Sequence, residues 1–303
     1  MRNIFITGAS GCIGHYVVAT SIERSSDRLF LLMRDPTKLQ FRPDPERVTI
    51  VPGDLENIIK HSDLLRRMDA VVHLATAWGH PNVDVEATLQ LFNLLDGDRC
   101  QKILYFSTES ILDRHNQPLD IAGRAGTPYI RCKYEMLMRR KEVKLRDRLI
   151  TLYPTLVFGG AKDRPYSHIT TGISEVAKWL PLIRFLKVDG SFHFMHAEDI
   201  AQVVAYLLDR PAPSPDLVLG HPAMTVEECV DRVCSFYDKR IYFKIPVPVG
   251  LLKAIAVRVG VRLSEWDDHC IEHRHFIHDA VDTETFQLES RFRSIEHLLA
   301  EYG

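Results

Sequence analysis

Three side chains in the middle of the chain, Thr108, Tyr129 and Lys133, have the types and spacing needed to move a proton to or from a substrate oxygen. Tyr129 and Lys133 are four residues apart and so share one face of a helix, which Thr127 can cap and Pro128 can begin. Lowering a tyrosine pKa of ~10 by ~3 units takes about 4 kcal/mol. A lysine ammonium about 4 Å away, at an effective dielectric of ~20, supplies about that much. The spacing therefore predicts that Tyr129 acts as an acid or base while Lys133 stays positively charged beside it. A solvated helix face would show the same spacing.

An apolar run that ends in hydroxyl side chains precedes this helix and predicts a strand over residues 102 to 107. In a parallel sheet, ligands bind at the carboxyl ends of strands. Thr108, or with less support Ser107, could therefore hydrogen-bond the reacting carbonyl or hydroxyl and orient it toward Tyr129. The alternative is that these hydroxyls only cap local backbone.

The start of the chain has the pattern of a dinucleotide site: an apolar strand at residues 3 to 6, a glycine-rich turn, and a helix beginning near Cys12. The free N–H groups at the start of such a helix can hold a pyrophosphate. Gly8 would make the tight turn, Gly11 would let the backbone approach the phosphates, and Gly14 would let the helix close on the strand.

Cofactor choice is expected at the end of the second strand, which is predicted at residues 28 to 33. If Arg34 takes the terminal position, its guanidinium can bind the 2′-phosphate of NADP, with Lys38 as a second positive charge. If the register slips by one residue, Asp35 would bind the ribose diol of NAD. We favour NADP, with NAD as the alternative; an ordinary solvated turn before Pro36 would explain the same residues.

Several blocks in the order found here give the chain a resemblance to the extended short-chain dehydrogenase/reductases, also called the NAD-dependent epimerase/dehydratase family. The blocks run from the turn at Thr7–Gly14 to a motif near residue 200: Gly53-Asp54-Leu55, Val72-His73-Leu74-Ala75, Thr108 with Tyr129 and Lys133, Tyr153-Pro154-Thr155-Leu156-Val157-Phe158-Gly159, and Phe194-Met195-His196-Ala197-Glu198-Asp199-Ile200-Ala201.

The resemblance implies hydride transfer to or from a nicotinamide, with Tyr129 as acid or base, Lys133 on the cofactor ribose and Thr108 polarising the substrate. It also implies a set of cofactor contacts along the strand ends: Gly8, Ser10, Gly11, Cys12, Ile13, Gly14, Arg34, Asp54, Leu55, Leu74, Ala75, Thr76, Ser107, Lys133, Tyr153, Pro154 and Thr155. Cys132 and Leu112-Asp113 depart from the family pattern without removing a catalytic atom. Glu109-Ser110 stands where the family's sugar-nucleotide dehydratases have an Asp-Glu pair, so dehydration is disfavoured.

Strands alternate with helical segments over the first half of the chain, at residues 3 to 6, 28 to 33, 48 to 51, 70 to 74, 102 to 107 and 149 to 153. This rhythm predicts an α/β fold, a doubly wound parallel sheet of the Rossmann type, with a smaller C-terminal substrate domain. We expect residues 1–159 and 191–210 to form the dinucleotide-binding domain, and residues 160–190 and 211–303 the substrate-binding domain, after a Pro-rich linker at residues 211–215.

Composition fits such an enzyme, because a formal net charge of −2 over 303 residues argues against a general nucleic-acid binder. The basic stretch from Arg139 to Arg148 contains Glu142 and Asp147, so we interpret it as a solvated helix face. The six cysteines form no CxxC pair and no secretory signal precedes the first strand, so the expected compartment is a reducing cytoplasm.

Two C-terminal segments could carry something more. His269 and His273 would share a helical face and could bind zinc, but Arg274 adjoins them and a surface or pocket role is favoured; no metal is expected. The segment Ile245–Leu263 is too interrupted and charged to span a bilayer. It could rest on a membrane surface as an amphipathic helix, although packing within the small domain is favoured.

The sequence therefore predicts an NADP-preferring oxidoreductase acting on a carbonyl or secondary alcohol of a small organic substrate. One alternative is a sugar-nucleotide epimerase. The other is a non-catalytic nucleotide-binding scaffold or redox sensor, and the intact Thr108, Tyr129 and Lys133 disfavour this second alternative. A homodimer through the Tyr129 helix is compatible with the resemblance. No motif identifies the substrate. Candidate residues for the lining of the substrate pocket are Trp78, His80, Phe158, His168 and His193. Packing in the core or a place on the surface would explain each of these residues equally well.

Overall fold

The computed structural model describes residues 1–40, 44–258 and 262–302. Its centre is a parallel sheet with the strand order β3-β2-β1-β4-β5-β6-β11-β14. The strands, numbered along the chain, are β1 (Asn3–Thr7), β2 (Arg28–Met33), β3 (Val48–Pro52), β4 (Ala70–His73), β5 (Lys102–Phe106), β6 (Leu149–Pro154), β7 (Leu156–Phe158), β8 (Leu186–Lys187), β9 (Ser191–Phe192), β10 (Phe194–His196), β11 (Asp216–Leu219), β12 (Met224–Thr225), β13 (Ile245–Pro246) and β14 (Ala280–Val281).

Helices cover both faces of this sheet. The α-helices, numbered along the chain, are α1 (Cys12–Arg24), α2 (Ser62–Leu65), α3 (Thr88–Asn93), α4 (Asp120–Ala125), α5 (Pro128–Arg139), α6 (His168–Ile183), α7 (Ala197–Asp209), α8 (Val226–Phe236), α9 (Val249–Arg258), α10 (Glu265–Glu272) and α11 (Ile295–Tyr302), and some of them cover the sheet while others pack beyond its strand ends. On one face α1 packs against α7, where Val17 and Val204 are fully buried. On the other face Phe92 of α3 and Met136 of α5 pack against the sheet. The doubly wound α/β fold predicted from the sequence is therefore confirmed.

The predicted strands of the first half match β1 to β6 to within one residue at their ends. Strands such as β5, with the sequence KILYF, are nearly continuous apolar runs because a parallel sheet buries both of its faces. Two further strands, β11 and β14, extend the sheet beyond β6. Both come from the segment 211–303, so this part of the chain contributes to the central sheet. The division into two domains stays a prediction.

Smaller elements of the second half lie beyond the carboxyl ends of the central strands. They form short pairs, β7 with β10, β8 with β13 and β9 with β12. A separate apolar cluster joins Phe158, Phe194, Phe292 and Leu298, so α11 packs against this region. Phe158 is thus a core residue.

His221 follows β11 and lies buried between two carboxylates. Its Nδ1 is 3.0 Å from Asp282 Oδ2 and its Nε2 is 3.3 Å from Asp199 Oδ2. Asp199 of α7 also accepts a hydrogen bond of 2.8 Å from the Ser290 hydroxyl. Burial alone would lower the pKa of His221, but the hydrogen bonds to Asp199 and Asp282 outweigh it and raise the pKa to about 8. The cluster ties together α7, the end of β11 and the residues after β14.

A His221→Gln variant is expected to remove one pH-dependent part of the stability. The pKa of His221 is higher in the folded chain than in the unfolded chain, where it is about 6.5, so its contribution is full below about pH 6.5 and is lost as pH rises through about 8. A shift of this size corresponds to about 2 kcal/mol. Urea unfolding at pH 6 and pH 9 should show the wild type losing about that much more than the variant.

The variant has to be compared with the wild type because Lys133 changes the pH dependence of stability in the direction opposite to that of His221. Burial lowers its pKa to about 8, so its contribution to stability grows as pH rises above that value. Since Lys133 is present in both proteins, it cancels in the difference. A His115→Gln variant at an exposed histidine is the control. Parallel pH profiles of the wild type and His221→Gln would contradict the assignment.

Candidate functional site

The glycine turn after β1 leaves no room for side chains at two of its positions. Gly8 has a φ of +75°, and a Cβ there would lie 2.7 Å from the Ala75 nitrogen. A Cβ on Gly14 would collide with the Gly8 carbonyl oxygen and lie 2.8 Å from Ala9 Cα. At Gly11 a Cβ would meet only the Gly8 oxygen, at 3.4 Å, so this side of the turn is open. The turn therefore packs helix α1 onto β1 and leaves its backbone accessible at Gly11.

Helix α1 begins at Cys12, and Gly11 at its N-cap provides no side-chain cap. Its first N–H groups are thus available to an anion. Ser10 and Ile13 are partly buried beside Gly11. Burial raises the pKa of the Cys12 thiol to about 12, so this cysteine stays protonated at neutral pH.

The end of β2 separates the two candidates for cofactor choice. The Asp35 carboxylate accepts a hydrogen bond of 3.0 Å from the Thr37 N–H and another from its hydroxyl, which caps the turn at Pro36–Lys38. These hydrogen bonds lower the pKa of Asp35. Arg34 is exposed, and within the described ranges its guanidinium makes no hydrogen bond or ion pair. Arg34 is therefore available to a ligand, and Asp35 keeps Oδ2 available as well, because both of its hydrogen bonds end on Oδ1.

The residues predicted after β3 divide into a polar and a core position. Asp54 accepts hydrogen bonds from the Asn57 N–H at 2.9 Å and from the Asn57 side-chain amide at 3.0 Å. Leu55 is buried in the core cluster that contains Phe92. Only the backbone of Leu55, together with Asp54, remains as the predicted adenine-side contact.

The loop after β4 is held by hydrogen bonds to Thr7 and Asp84. The Leu74 N–H donates to the Thr7 carbonyl and the Ala75 N–H to the Thr7 hydroxyl, both at 3.2 Å. The buried Asp84 carboxylate accepts from the Thr76 hydroxyl at 3.0 Å. It also accepts from the backbone N–H groups of residues 77 and 79, each at 2.7 Å. Asp84 was not singled out from the sequence, although an acidic residue in the first turn of a helical segment, here Asn82–Ala87, is a signal that could have found it.

This loop places Trp78 over the predicted acid. Trp78 has a φ of +56°, unusual for a large residue, and its ring centroid lies 5.2 Å from that of Tyr129 and 5.0 Å from that of His168. His80 is exposed and accepts backbone hydrogen bonds from residues 83 and 84. Among the predicted lining residues, Trp78 therefore lies beside Tyr129, and His168 contacts Trp78.

The end of β5 brings together a compact group of polar side chains. The Thr108 and Ser110 hydroxyls donate to Glu109 Oε2 at 3.1 and 3.2 Å. Burial raises the pKa of Glu109, and these hydrogen bonds counteract it in part. The Ser107 hydroxyl is buried with no hydrogen-bond partner in the described residues. A buried orphan hydroxyl of this kind needs a partner, which a bound ligand would supply.

Helix α5 begins as predicted, with the Thr127 hydroxyl accepting from the Ile130 N–H at 3.4 Å and Pro128 in the first turn. Lys133 is buried, and its ammonium donates to the Phe106 carbonyl at 2.9 Å and to the Tyr105 hydroxyl at 3.4 Å. Its Nζ lies 5.8 Å from the centre of the Tyr129 ring. Tyr129, Lys133 and Thr108 thus meet at the carboxyl ends of the central strands.

The expected lowering of the Tyr129 pKa by Lys133 is wrong for this state of the site. Burial raises the pKa of Tyr129, the charges of Glu109 and Asp84 raise it further, and a hydrogen bond with Thr108 only partly offsets them. The lysine ammonium is engaged by the Phe106 carbonyl and the Tyr105 hydroxyl. Tyr129 is therefore a neutral phenol, which can donate a proton but is a poor base.

The residues at the end of β6 have mixed roles. The Tyr153 hydroxyl donates to Asp216 at 2.9 Å and its side chain is in the core, so the side chain itself is not available to a cofactor. Pro154 is buried at the strand end. The Thr155 hydroxyl donates to the Leu219 carbonyl at 2.8 Å, and Thr155 lines a cavity.

A cavity of about 380 Å³ adjoins this group. Its wall includes Glu109 and Ile130, which directly follow Thr108 and Tyr129 in the sequence. The residues of the wall are Glu109, Ser110, Ile130, Thr155, Leu156, Ser191, Phe192, His193, Val226, Trp266, Cys270, Arg274 and Phe276. Of the predicted lining residues, His193 is in this wall. The segment after residue 265 contributes Trp266, Cys270, Arg274 and Phe276, which the sequence had shown only as a histidine-rich stretch.

The remaining predictions concern metals and membranes. His269 and His273 stack with ring centroids 4.2 Å apart, and within the described ranges no group of three or more metal-capable side chains is present. Among the helices that the structure describes, none is long and apolar enough to cross a membrane. Lys253 of α9 is ion-paired with Asp268 and Glu272 of α10. Residues 259–261 of the Ile245–Leu263 segment lie outside the described residues, and its contact with a membrane surface stays a prediction.

Comparison with known proteins gives a family and a fold. Residues 4–220 match the model of the NAD dependent epimerase/dehydratase family. No curated protein sequence matches the chain.

Solved structures similar to the chain cover it almost completely. They include gox2253 (17% identity, TM-score 0.71, covering 100% of this chain and 97% of that one). Another is UDP-N-acetylglucosamine 4-epimerase from Methanobrevibacter ruminantium M1 (17%, 0.67, 99% and 96%). A third is UDP-glucose-4-epimerase from Stenotrophomonas maltophila with bound NAD (15%, 0.66, 100% and 97%). At these identities the likeness is one of fold.

Proposed function

Because the chain belongs to the NAD-dependent epimerase/dehydratase family of enzymes, we propose that it is an NADPH-preferring oxidoreductase that reduces a carbonyl group of a small organic substrate. The observation that carries this proposal is the meeting of Thr108, Tyr129 and Lys133 at the strand ends beside a cavity. When bound, the nicotinamide cofactor supplies the hydride.

The residues at the strand ends fit a dinucleotide. The open turn at Gly11 and the uncapped start of α1 suit a pyrophosphate. The orphan hydroxyl of Ser107 and the buried ammonium of Lys133 suit the ribose on the nicotinamide side. Arg34 suits a phosphate on the adenine-side ribose.

The division of work among the catalytic side chains follows from their charges. The neutral Tyr129 phenol donates a proton to the substrate oxygen as it becomes an alkoxide. The Thr108 hydroxyl, turned from Glu109 Oε2 toward the substrate, hydrogen-bonds and orients that oxygen. The Lys133 ammonium, held by the Phe106 carbonyl, stabilises the tyrosinate that remains after transfer. A protonated tyrosine is the form that reduction of a carbonyl requires.

An Arg34→Ala variant is expected to lose the preference for NADPH. Removing charge-assisted hydrogen bonds worth about 1.5–3 kcal/mol should weaken NADPH binding by about 10- to 100-fold and leave NADH binding unchanged. Titration of the purified protein with each cofactor, followed by nicotinamide fluorescence, measures both affinities.

The matched control is Arg28→Ala, because Arg28 is an exposed arginine at the opposite end of the same strand. It should leave both affinities unchanged. Tighter binding of NADH than of NADPH by the wild type would contradict the NADP preference and make Asp35 the ribose ligand. If neither cofactor binds, the glycine turn is architecture only and the oxidoreductase proposal fails.

A further inference from the structure

The cavity beside Tyr129 has a wall in which the large side chains are mostly apolar. Ile130, Phe192, Trp266 and Phe276 supply aliphatic and aromatic surface on several sides. Its volume of about 380 Å³ is at the lower end of the range of small-molecule pockets, ~300–1,000 Å³. Such a wall stabilises a ligand mainly through buried apolar area.

In the described part of the wall the basic side chains are Arg274 and His193, and both are engaged by other residues of the chain. The Arg274 guanidinium is ion-paired with Asp189 through Nη2 and donates to the Glu272 carbonyl at 3.3 Å through Nη1. His193 Nδ1 lies 2.7 Å from the His221 carbonyl oxygen, and its Nε2 accepts from the His278 N–H at 3.0 Å. This pattern places the ring proton on Nδ1, and burial lowers the pKa of His193, so the ring is neutral. A diphosphate, which needs several cations or a row of N–H donors, would meet a single guanidinium in the described part of this wall, already ion-paired and with only its Nε lacking a hydrogen-bond partner.

Glu109 adds a group that opposes anions. Glu109 is a residue of the cavity wall next to the catalytic Thr108, and the hydrogen bonds from Thr108 and Ser110 both end on its Oε2. An anionic ligand would meet a carboxyl group that either carries a like charge or has to take up a proton. The ionised state disfavours the anion, since placing like charges together costs several kcal/mol.

We propose that this cavity binds an uncharged, mainly apolar ketone or the corresponding secondary alcohol, and that Glu109 excludes anionic substrates, sugar nucleotides included. The inference rests on the proposed function, because it takes the cavity beside Tyr129 as the substrate site. It assigns Glu109 as a residue that determines specificity.

The test is calorimetric binding of three probes to the NADP-loaded protein: acetylnaphthalene, its carboxylate-bearing analogue acetylnaphthoic acid, and UDP-glucose. We expect acetylnaphthalene to bind at least about tenfold more tightly than either anion. In Glu109→Gln, which keeps the shape of the side chain and removes its charge, the preference over acetylnaphthoic acid should shrink by about tenfold. Glu289→Gln, at an exposed glutamate outside the wall, is the matched control and should keep the wild-type preference.

Equal or tighter binding of UDP-glucose or acetylnaphthoic acid by the wild type would overturn the inference, and so would the absence of binding by all three probes. An unchanged preference in Glu109→Gln would overturn the role of Glu109. NADPH oxidation in the presence of acetylnaphthalene is recorded in parallel and reports on the proposed function. Selective binding of the neutral probe without oxidation of NADPH by any carbonyl compound would contradict the reductase proposal while supporting the assigned ligand class.

Discussion

Replacement of Tyr129 by phenylalanine is expected to lower kcat by about two to four orders of magnitude, the usual contribution of a positioned proton donor. The change removes the hydroxyl and keeps the ring, which packs against Trp78 with a centroid distance of 5.2 Å. NADPH affinity should therefore stay within about threefold of the wild type, since Lys133, Arg34 and the glycine turn are untouched. Steady-state oxidation of NADPH by a carbonyl substrate measures kcat, and a fluorescence titration of the same samples measures the affinity for NADPH.

Tyr134→Phe is the matched control, because Tyr134 lies on the same helix but its hydroxyl donates to Asp120 at 2.8 Å, away from Lys133. It should keep wild-type turnover. Full turnover in Tyr129→Phe would assign proton donation to another group. If the wild type itself binds NADPH without turnover and Tyr129→Phe keeps its biological activity, the chain would be a scaffold.

Replacement of Gly14 by alanine is expected to damage both stability and cofactor binding. The added methyl would collide with the Gly8 carbonyl oxygen and lie 2.8 Å from Ala9 Cα, and both are backbone atoms of the turn that cannot rotate away. We expect a loss of about 3 kcal/mol in the free energy of unfolding, the upper end of the overpacking range. Displacement of the turn should also weaken NADPH binding by about 100-fold. Urea unfolding and fluorescence titration measure the two effects.

The control is Gly172→Ala in the interior of α6, where an added Cβ has no heavy atom within 4 Å. That change should raise the free energy of unfolding by about 0.5–1 kcal/mol, because alanine favours a helix interior over glycine. Wild-type stability of Gly14→Ala would contradict the close packing of α1 on β1.

The sheet could be predicted from the sequence up to β6, because parallel strands that are buried on both faces consist of unbroken runs of apolar residues. The start of α5 could also be predicted, since the Thr127 cap and Pro128 in the first turn are local signals within the sequence of that helix. The strands β11 and β14 were missed. They contain four and two residues, and only pairing with β6 and with each other defines them.

The positions of Thr108, Tyr129 and Lys133 could be predicted from the sequence, but the protonation state of the tyrosine could not. It depends on Asp84 and Glu109, which approach Tyr129 from two other segments of the chain. The cavity wall after residue 265 was also out of reach. There the histidines dominate the sequence pattern, while Trp266, Cys270 and Arg274 are the side chains that the fold turns inward.

The packing of α7 against α1 sets an order for folding during synthesis. Strands β1 to β6 are complete at residue 154, but the face of the sheet that carries α1 is closed only by α7, which ends at residue 209. At a synthesis rate of roughly 5–20 residues per second, this apolar face stays uncovered on the ribosome for roughly several seconds. The edge next to β6 stays unpaired over the same interval, until β11 has been made. Over that interval the growing chain exposes apolar surface and an open strand edge, the two features that make a partly folded chain prone to aggregate.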